Sequence, residues 1–291
     1  MPLSESRITI VGLGLMGGSL ALALRGRCAR MVGVDRDPVA VELARGAVDF
    51  STPDLASGLR DCNLIVLATP VRSILSLLSA LQSLIPDPQP PTSNLRLPIS
   101  VLDLGSTKAS IVSAMDSLPP PFDPIGGHPM CGREVAGFAH ADADLYRGRT
   151  FVLVPLARTS KRTRVLAGEL VAAIGANAVE LAAARHDALT AITSHLPYAA
   201  AVALMQAALS SNDDRLWDMT ASGFRDTSRL AASDPTMMVD ILITNRAAIL
   251  DALARYRTEL DSLIALIDRA DPEALSDAVS PAQAKRSRMF K

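Results

Sequence analysis

Four residues near the amino terminus are spaced to hold a dinucleotide. Gly12, Gly14 and Gly17 form a G-x-G-x-x-G run, and Asp35 follows 18 residues past the last glycine. In such a run the first glycine permits a tight turn, the second lets backbone approach a pyrophosphate, and the third lets a helix pack closely on its strand. The helix then turns free N–H groups and its positive dipole end toward the phosphates. A carboxylate at the position of Asp35 binds ribose hydroxyls and repels a 2′-phosphate, which favours NAD over NADP. Its neighbour Arg36 acts against that preference. Leu15 and Met16 after the second glycine, with Thr69 and Pro70 after a later apolar run, complete the expected cofactor positions.

A nicotinamide cofactor needs a substrate carbon that exchanges hydride and a group that handles the accompanying proton. Three segments offer such groups. Asp103-Leu104-Gly105-Ser106-Thr107-Lys108 directly follows a predicted strand, at the sheet edge where ligands bind in this architecture; a helix N-cap by Ser106 or Thr107 is the structural alternative. Gly126-Gly127-His128-Pro129-Met130-Cys131-Gly132-Arg133-Glu134 reads as a constrained loop, not a core element. His128 is either a structural histidine or, since histidine titrates near neutral pH, a group suited to proton removal from an alcohol. Cys131 reads as a small filler or as a reactive thiol. The third segment pairs His186-Asp187 and Ser194–Tyr198 with Gly223–Arg229. Its arginines could clamp a carboxylate or form salt bridges between domains or subunits.

The elements that must position these groups follow from the apolar pattern. Strands are predicted at Ile8–Val11, Met31–Asp35, Leu64–Ala68, Ile99–Leu104, Phe151–Val154 and Val179–Leu181. Helices lie between them at Gly17–Leu24, Pro38–Arg45, Val71–Leu84 and Lys161–Ile174. This alternation predicts a mostly parallel, doubly wound sheet. Pro86–Pro98 is a proline-rich loop. From about Arg185 two long helical segments take over, near Asp187–Leu209 and Pro235–Ile267. The second is capped by Ser233 or Asp234, with Pro235 in its first turn, and carries an apolar stripe from Met238 to Ile267. The boundary falls at residue 184. Residues 1–184 then form a dinucleotide-binding α/β domain of Rossmann type, and residues 185–291 an all-α domain.

At 291 residues two domains are natural, and a net charge of −1 gives no general attraction to nucleic acid or an anionic membrane. Cys28, Cys62 and Cys131 have no metal-ligand spacing, and an odd count without a basic and apolar leader suggests a reducing cytoplasm. Ala188–Leu209 lacks Asp, Glu, Lys and Arg and is long enough to span a bilayer. Its Thr190, Thr193, Ser194, His195 and Pro197 point instead to a helix buried on most sides, inside a helical domain or a dimer. The KRSRMFK tail reads as a solvated end.

Together the stretches VGLGLMGGSLALAL, VLDLGSTK, GGHPMCGRE, HDALTAITSHLPY and GFRDTSRLAASDPTMM, in this order, resemble the prephenate/arogenate dehydrogenase family of tyrosine biosynthesis. The resemblance runs over roughly residues 7 to 268 and includes neither an ACT nor a chorismate mutase domain. It implies NAD-dependent oxidative decarboxylation of prephenate, or alternatively of arogenate, by a homodimer joined through the helical domain. His128 matches the catalytic histidine and Ser106 the serine that bonds the substrate hydroxyl and positions that histidine. Arg229 matches the arginine on a substrate carboxylate and is expected to be buried. His195 falls near the substrate, Glu134 on a loop glutamate, and Arg225 with Asp187 on an ionic pair at the site entrance. Tyr198 stands where many relatives carry a second histidine, a position that helps choose substrate. Arg133 replaces a commonly small residue and Met238 a tryptophan. Two other readings are a β-hydroxyacid-type dehydrogenase and a non-catalytic dinucleotide sensor. The first would want a lysine in a helical-core motif, where Lys161 and Lys285 do not lie. The second would lack His128, Ser106 and Arg229.

Overall fold

The computed structural model describes residues 2–83, 98–133 and 135–289. Glu134 lies outside them, as does the proline-rich segment except for Pro98. The chain divides into two compact units, Met1–Arg246 and Ala247–Lys291.

The first unit is built on an eight-stranded sheet. Its strands are β1 (Arg7–Val11), β2 (Arg30–Val34), β3 (Phe50–Thr52), β4 (Leu64–Leu67), β5 (Ile99–Asp103), β6 (Phe122–Pro129), β7 (Thr150–Pro155) and β8 (Asn177–Glu180). They lie in the order β3-β2-β1-β4-β5-β6-β7-β8, and every pairing is parallel except β6 with β7. The expected doubly wound sheet is present, and all six predicted strands fall in it. The strands alternate apolar side chains between two faces, as a sheet covered on both sides requires. Ile8, Ile10, Val66 and Leu102 face one core with Leu20, Leu24, Leu166 and Leu170. Ile65, Leu67, Ile99 and Val101 face the other with Ile74, Leu78, Ile111 and Met115.

The helices of this unit are α1 (Leu15–Leu24), α2 (Pro38–Leu43), α3 (Leu55–Gly58), α4 (Val71–Ser83), α5 (Ala109–Asp116), α6 (Lys161–Ala173), α7 (Ala183–Thr190), α8 (Leu196–Leu209), α9 (Ser222–Ser228) and α10 (Pro235–Thr244). A π-helical turn, Ala191–His195, joins α7 to α8. The second unit holds α11 (Arg246–Arg269, from Ala247 on) and α12 (Pro272–Met289).

Two expectations are corrected. The GGHP segment is not a loop: Gly126 through Pro129 form the second half of β6. The glycines are there because the strand is crowded. A Cβ on Gly127 would come within 2.5 Å of the Asp103 carbonyl oxygen, and one on Gly126 within 3.1 Å of Val154. The long helix expected over Pro235–Ile267 is broken at Asn245, whose side chain is committed to Asp187 and His195. Asp234 does cap its start, accepting from Met237 N at 2.8 Å. Ala183–Leu209 has the length and composition to cross a membrane; within the single chain its faces are largely open, so of the two expected settings a dimer is the one left to bury them. Of α8 only Ala201 is buried, while Leu189, Ile192 and Leu209 are exposed.

Candidate active site

The parallel strands β1, β4, β5 and β6 end at one edge of the sheet; the glycine turn and Ser106 follow such ends, and His128 lies in β6 one residue before its end. The glycine turn after β1 is a cradle closed to side chains. Gly12 has φ +98°, and a Cβ there would meet the Ala68 carbonyl oxygen and Thr69 Cγ2 at 2.7 Å. A Cβ on Gly17 would sit 1.8 Å from the Gly12 carbonyl oxygen. Gly14, the N-cap of α1, faces open space where a phosphate can approach the helix end. Asp35 is held by Leu13 N on Oδ2 at 2.6 Å and by Asp37 N on Oδ1 at 2.9 Å. Beside the cradle, Thr69 Oγ1 is buried with no hydrogen-bond partner among the described residues. A buried orphan hydroxyl next to an open helix N-terminus fits a bound dinucleotide. Leu15 is buried and Met16 half-buried, its carbonyl accepting from Tyr146 Oη at 2.6 Å; Arg36 and Pro70 are exposed.

After β5 the chain builds a buried charge pair. Lys108 Nζ binds the Asp103 carboxylate and donates to the Gly127 carbonyl at 2.6 Å. Asp103 also accepts from Gly127 N at 3.0 Å and Gly105 N at 2.8 Å. Both side chains are fully buried, and burial pulls the Lys108 ammonium below its ordinary pKa against the opposing pull of Asp103. The pair clamps the backbone of β6 immediately before His128. The helix that follows is not capped by Ser106 or Thr107. Asp187 caps it from α7, accepting from Lys108 N at 2.7 Å and Ala109 N at 2.8 Å, while Thr107 Oγ1 pairs with Thr244 Oγ1 at 2.9 Å.

His128 extends from β6 to meet His186, with its Nδ1 2.8 Å from His186 Nε2. His186 Nδ1 is in turn 2.7 Å from Asp187 Oδ1. Burial, reinforced by His186, Lys108 and His195, pushes the His128 pKa well below 6.5. The imidazole is therefore neutral at physiological pH, as a proton acceptor must be. His195 is buried, and its pKa is lowered to about 4 by burial. Asn245 Nδ2 donates to His195 Nδ1 at 3.2 Å and to the Asp187 carbonyl at 2.8 Å.

The remaining expected residues are placed less tightly. Ser106 is half-buried in the loop after β5 and makes no hydrogen bond to His128 among the described residues. Tyr198 is half-buried on α8, and Arg229 opens the 3-10 turn Arg229–Ala232, exposed rather than buried in the single chain. The expected Arg225–Asp187 ion pair is absent within this chain. Arg225 is exposed and pairs with Asp226 at 3.1 Å, and Asp187 is buried under its three N–H donors. Arg133 pairs with Asp142 at 2.5 Å. Burial pushes the Cys131 thiol up to about 11, which suits a filler and not a nucleophile. Sequence reading missed Asn245; its one signal was a lone amide interrupting an apolar stripe. Among the described residues no group of His, Cys, Asp or Glu is placed to hold a metal ion.

The prephenate dehydrogenase nucleotide-binding domain matches residues 20–180, and the prephenate dehydrogenase dimerization domain matches residues 182–280. The chain belongs to the prephenate dehydrogenase family. It is 32% identical to a prephenate dehydrogenase of Bacillus subtilis, over 93% of this chain and 72% of that one. The crystal structure of an Aquifex aeolicus prephenate dehydrogenase in complex with hydroxyphenyl propionate and NAD+ superposes with a TM-score of 0.88, at 28% identity, covering 99% of this chain and 100% of that one. A Synechocystis arogenate dehydrogenase superposes at 0.81, with 30% identity and coverage of 98% and 100%. A member of this family is an NAD-dependent oxidoreductase with a Rossmann-type domain followed by a helical one. The relatives' names span prephenate and arogenate, so the family sets the reaction and leaves substrate choice to residues of the individual chain.

Proposed function

We propose that this chain is a cytoplasmic, homodimeric prephenate dehydrogenase that converts prephenate to 4-hydroxyphenylpyruvate and carbon dioxide, with its domains dividing at residue 184. The observation that carries the reading is the placement of His128. A neutral imidazole stands one residue before the end of β6, in the same row of strand ends that begins with the glycine cradle. Bound NAD supplies the hydride acceptor, held by Gly12, Gly14, Leu15, Met16, Gly17, Asp35, Arg36, Thr69 and Pro70. His128 accepts the proton of the ring hydroxyl as hydride leaves the same carbon. The electron pair left by departing carbon dioxide completes the aromatic ring, and the phenol oxygen takes a proton back. Ser106 bonds the hydroxyl. Arg229, with Arg225, attracts a substrate carboxylate, and His195, Tyr198 and Glu134 shape the rest of the site. Because aromaticity drives the release of a neutral gas, the protein's task is to position, deprotonate and exclude water.

Arogenate is the second reading: a Synechocystis arogenate dehydrogenase is among the similar structures, and Tyr198 stands at the position expected to help choose substrate. NADH formation by the purified protein with prephenate and with arogenate in parallel, each repeated with NADP, decides between them. Prephenate turnover with NAD is the expected result. Arogenate-only turnover would move specificity to Tyr198, Arg133 and Glu134, and turnover of neither would overturn the proposal.

A further inference from the structure

His128 can serve as a base only if the right ring nitrogen is free. Its Nδ1 faces His186 Nε2 at 2.8 Å, so only its Nε2 is left to meet a substrate. A neutral imidazole carries one N–H and one lone pair, and which nitrogen has which is set by the hydrogen bond the other makes. Something must therefore place the proton of His128 on Nδ1.

The structure supplies a chain of contacts that does so. Asp187 lies under three donors: Lys108 N at 2.7 Å, Ala109 N at 2.8 Å and His186 Nδ1 at 2.7 Å. Burial opposes its charge, but the hydrogen bonds from His186, Ala109 and Lys108 outweigh that and hold its carboxyl below the ordinary range. An ionised carboxylate accepts and cannot donate, so His186 must present N–H at Nδ1. With Nδ1 given to Asp187, the lone pair of the His186 ring lies at Nε2, the atom that faces His128. That lone pair accepts from His128, which therefore carries N–H at Nδ1 and a lone pair at Nε2. We propose that His186 and Asp187 form a positioning dyad that fixes the tautomer and ring orientation of His128, with the fixed charge of Asp187 read out two rings away. The ring planes of His128 and His186 cross at 70° with centroids 5.0 Å apart, an edge-on contact that leaves the N–H aimed at the lone pair. His186 is 1% exposed and Asp187 4%, so water does not compete for these bonds. Asn245 fixes the other flank, holding the Asp187 carbonyl and His195 with one amide.

The catalytic consequence rests on the function proposed above; the tautomer does not. The chain has four histidines, so the ring nitrogens of protein labelled with ¹⁵N-histidine can be resolved by long-range ¹H–¹⁵N correlation and assigned with His128→Asn and His186→Gln variants. In the resting wild-type protein near pH 7.5, with no substrate present, His128 and His186 should both show protonated Nδ1 and unprotonated Nε2. A protonated Nε2 on His128 would overturn the proposal, whatever the protein oxidises. The kinetic arm compares His186→Leu, which removes the acceptor, with His186→Gln, whose amide oxygen can take the place of Nε2. His186→Leu should lower kcat roughly 10²–10⁴-fold with KM for NAD unchanged, the scale of losing a correctly held general base. His186→Gln should recover most of that loss. Equal activities of wild type and His186→Leu would overturn the dyad, and so would equally impaired Leu and Gln variants that both fold.

Discussion

His128 is neutral because of what surrounds it, and that has a measurable consequence. Burial and the neighbouring His186, Lys108 and His195 all disfavour a proton on the ring. The free base is thus fully populated above its depressed pKa and is lost only as pH falls through it. The acid limb of kcat/KM should fall well below pH 6.5, with a flat profile from pH 8 down through 6.5. A limb at 6.5 or above would mean that another group or a more solvated histidine controls turnover. His128→Asn should lower kcat by roughly 10²–10⁴-fold and abolish that limb while leaving NAD affinity unchanged. Asparagine keeps a polar group near the His186 contact but has no basic nitrogen. Near-normal turnover of this variant would remove His128 from the chemistry.

At the scale of elements, the turn after β1 separates two roles that glycine can play. A Cβ on Gly17 would collide with backbone at 1.8 Å, so α1 would have to move off its strand. A Cβ on Gly14, whose φ of −72° suits any residue, meets nothing within 4 Å. Gly14→Ala should therefore fold with an unchanged Tm yet bind NAD at least tenfold more weakly, because the methyl group occupies phosphate space. Gly17→Ala should lower Tm before cofactor is added. Calorimetry with and without NAD distinguishes them, and a Gly14→Ala protein with wild-type affinity would place the pyrophosphate elsewhere. This corner was legible in the sequence because its signal is local: strand, glycines and helix lie within residues 7–24. Strand β6 was not, because Pro124, Gly126, Gly127 and Pro129 read as loop residues, and only the crowding by β5 and β7 explains the two glycines. The three-residue β3 is too short to carry a pattern. His128 and Ser106 could be named from motifs, but the partners of His128 and α5 could not. The His128–His186 and Lys108–Asp187 contacts join residues 58 and 79 positions apart, and no local periodicity encodes such a pairing.

For the whole molecule, the issue is what covers the apolar surface that a single chain leaves open. Helix α11 exposes Tyr256, Leu260, Leu263, Ile264 and Ile267, spaced three and four residues apart along one stripe. In the first unit, α8 leaves Leu209 65% exposed and α10 leaves Ile243 56% exposed. A soluble monomer seldom leaves so many large apolar side chains open, and a stripe on a helix is what a two-fold interface buries twice. The match of residues 182–280 to a dimerization domain supports a second copy as the cover. Sedimentation should therefore report a particle of twice 30.7 kDa. Ile264→Glu tests which surface is responsible. The symmetry would bury two unpaired carboxylates in one interface, costing several kcal/mol, and about 1.4 kcal/mol is a tenfold change in affinity. The dimer Kd should rise by at least roughly 10²-fold, while the exposed position in the single chain predicts an unchanged fold by circular dichroism. A variant that stays dimeric at wild-type affinity would move the interface off α11 and onto the open faces of α8 and α10, where Ile243→Glu would then be the discriminating change.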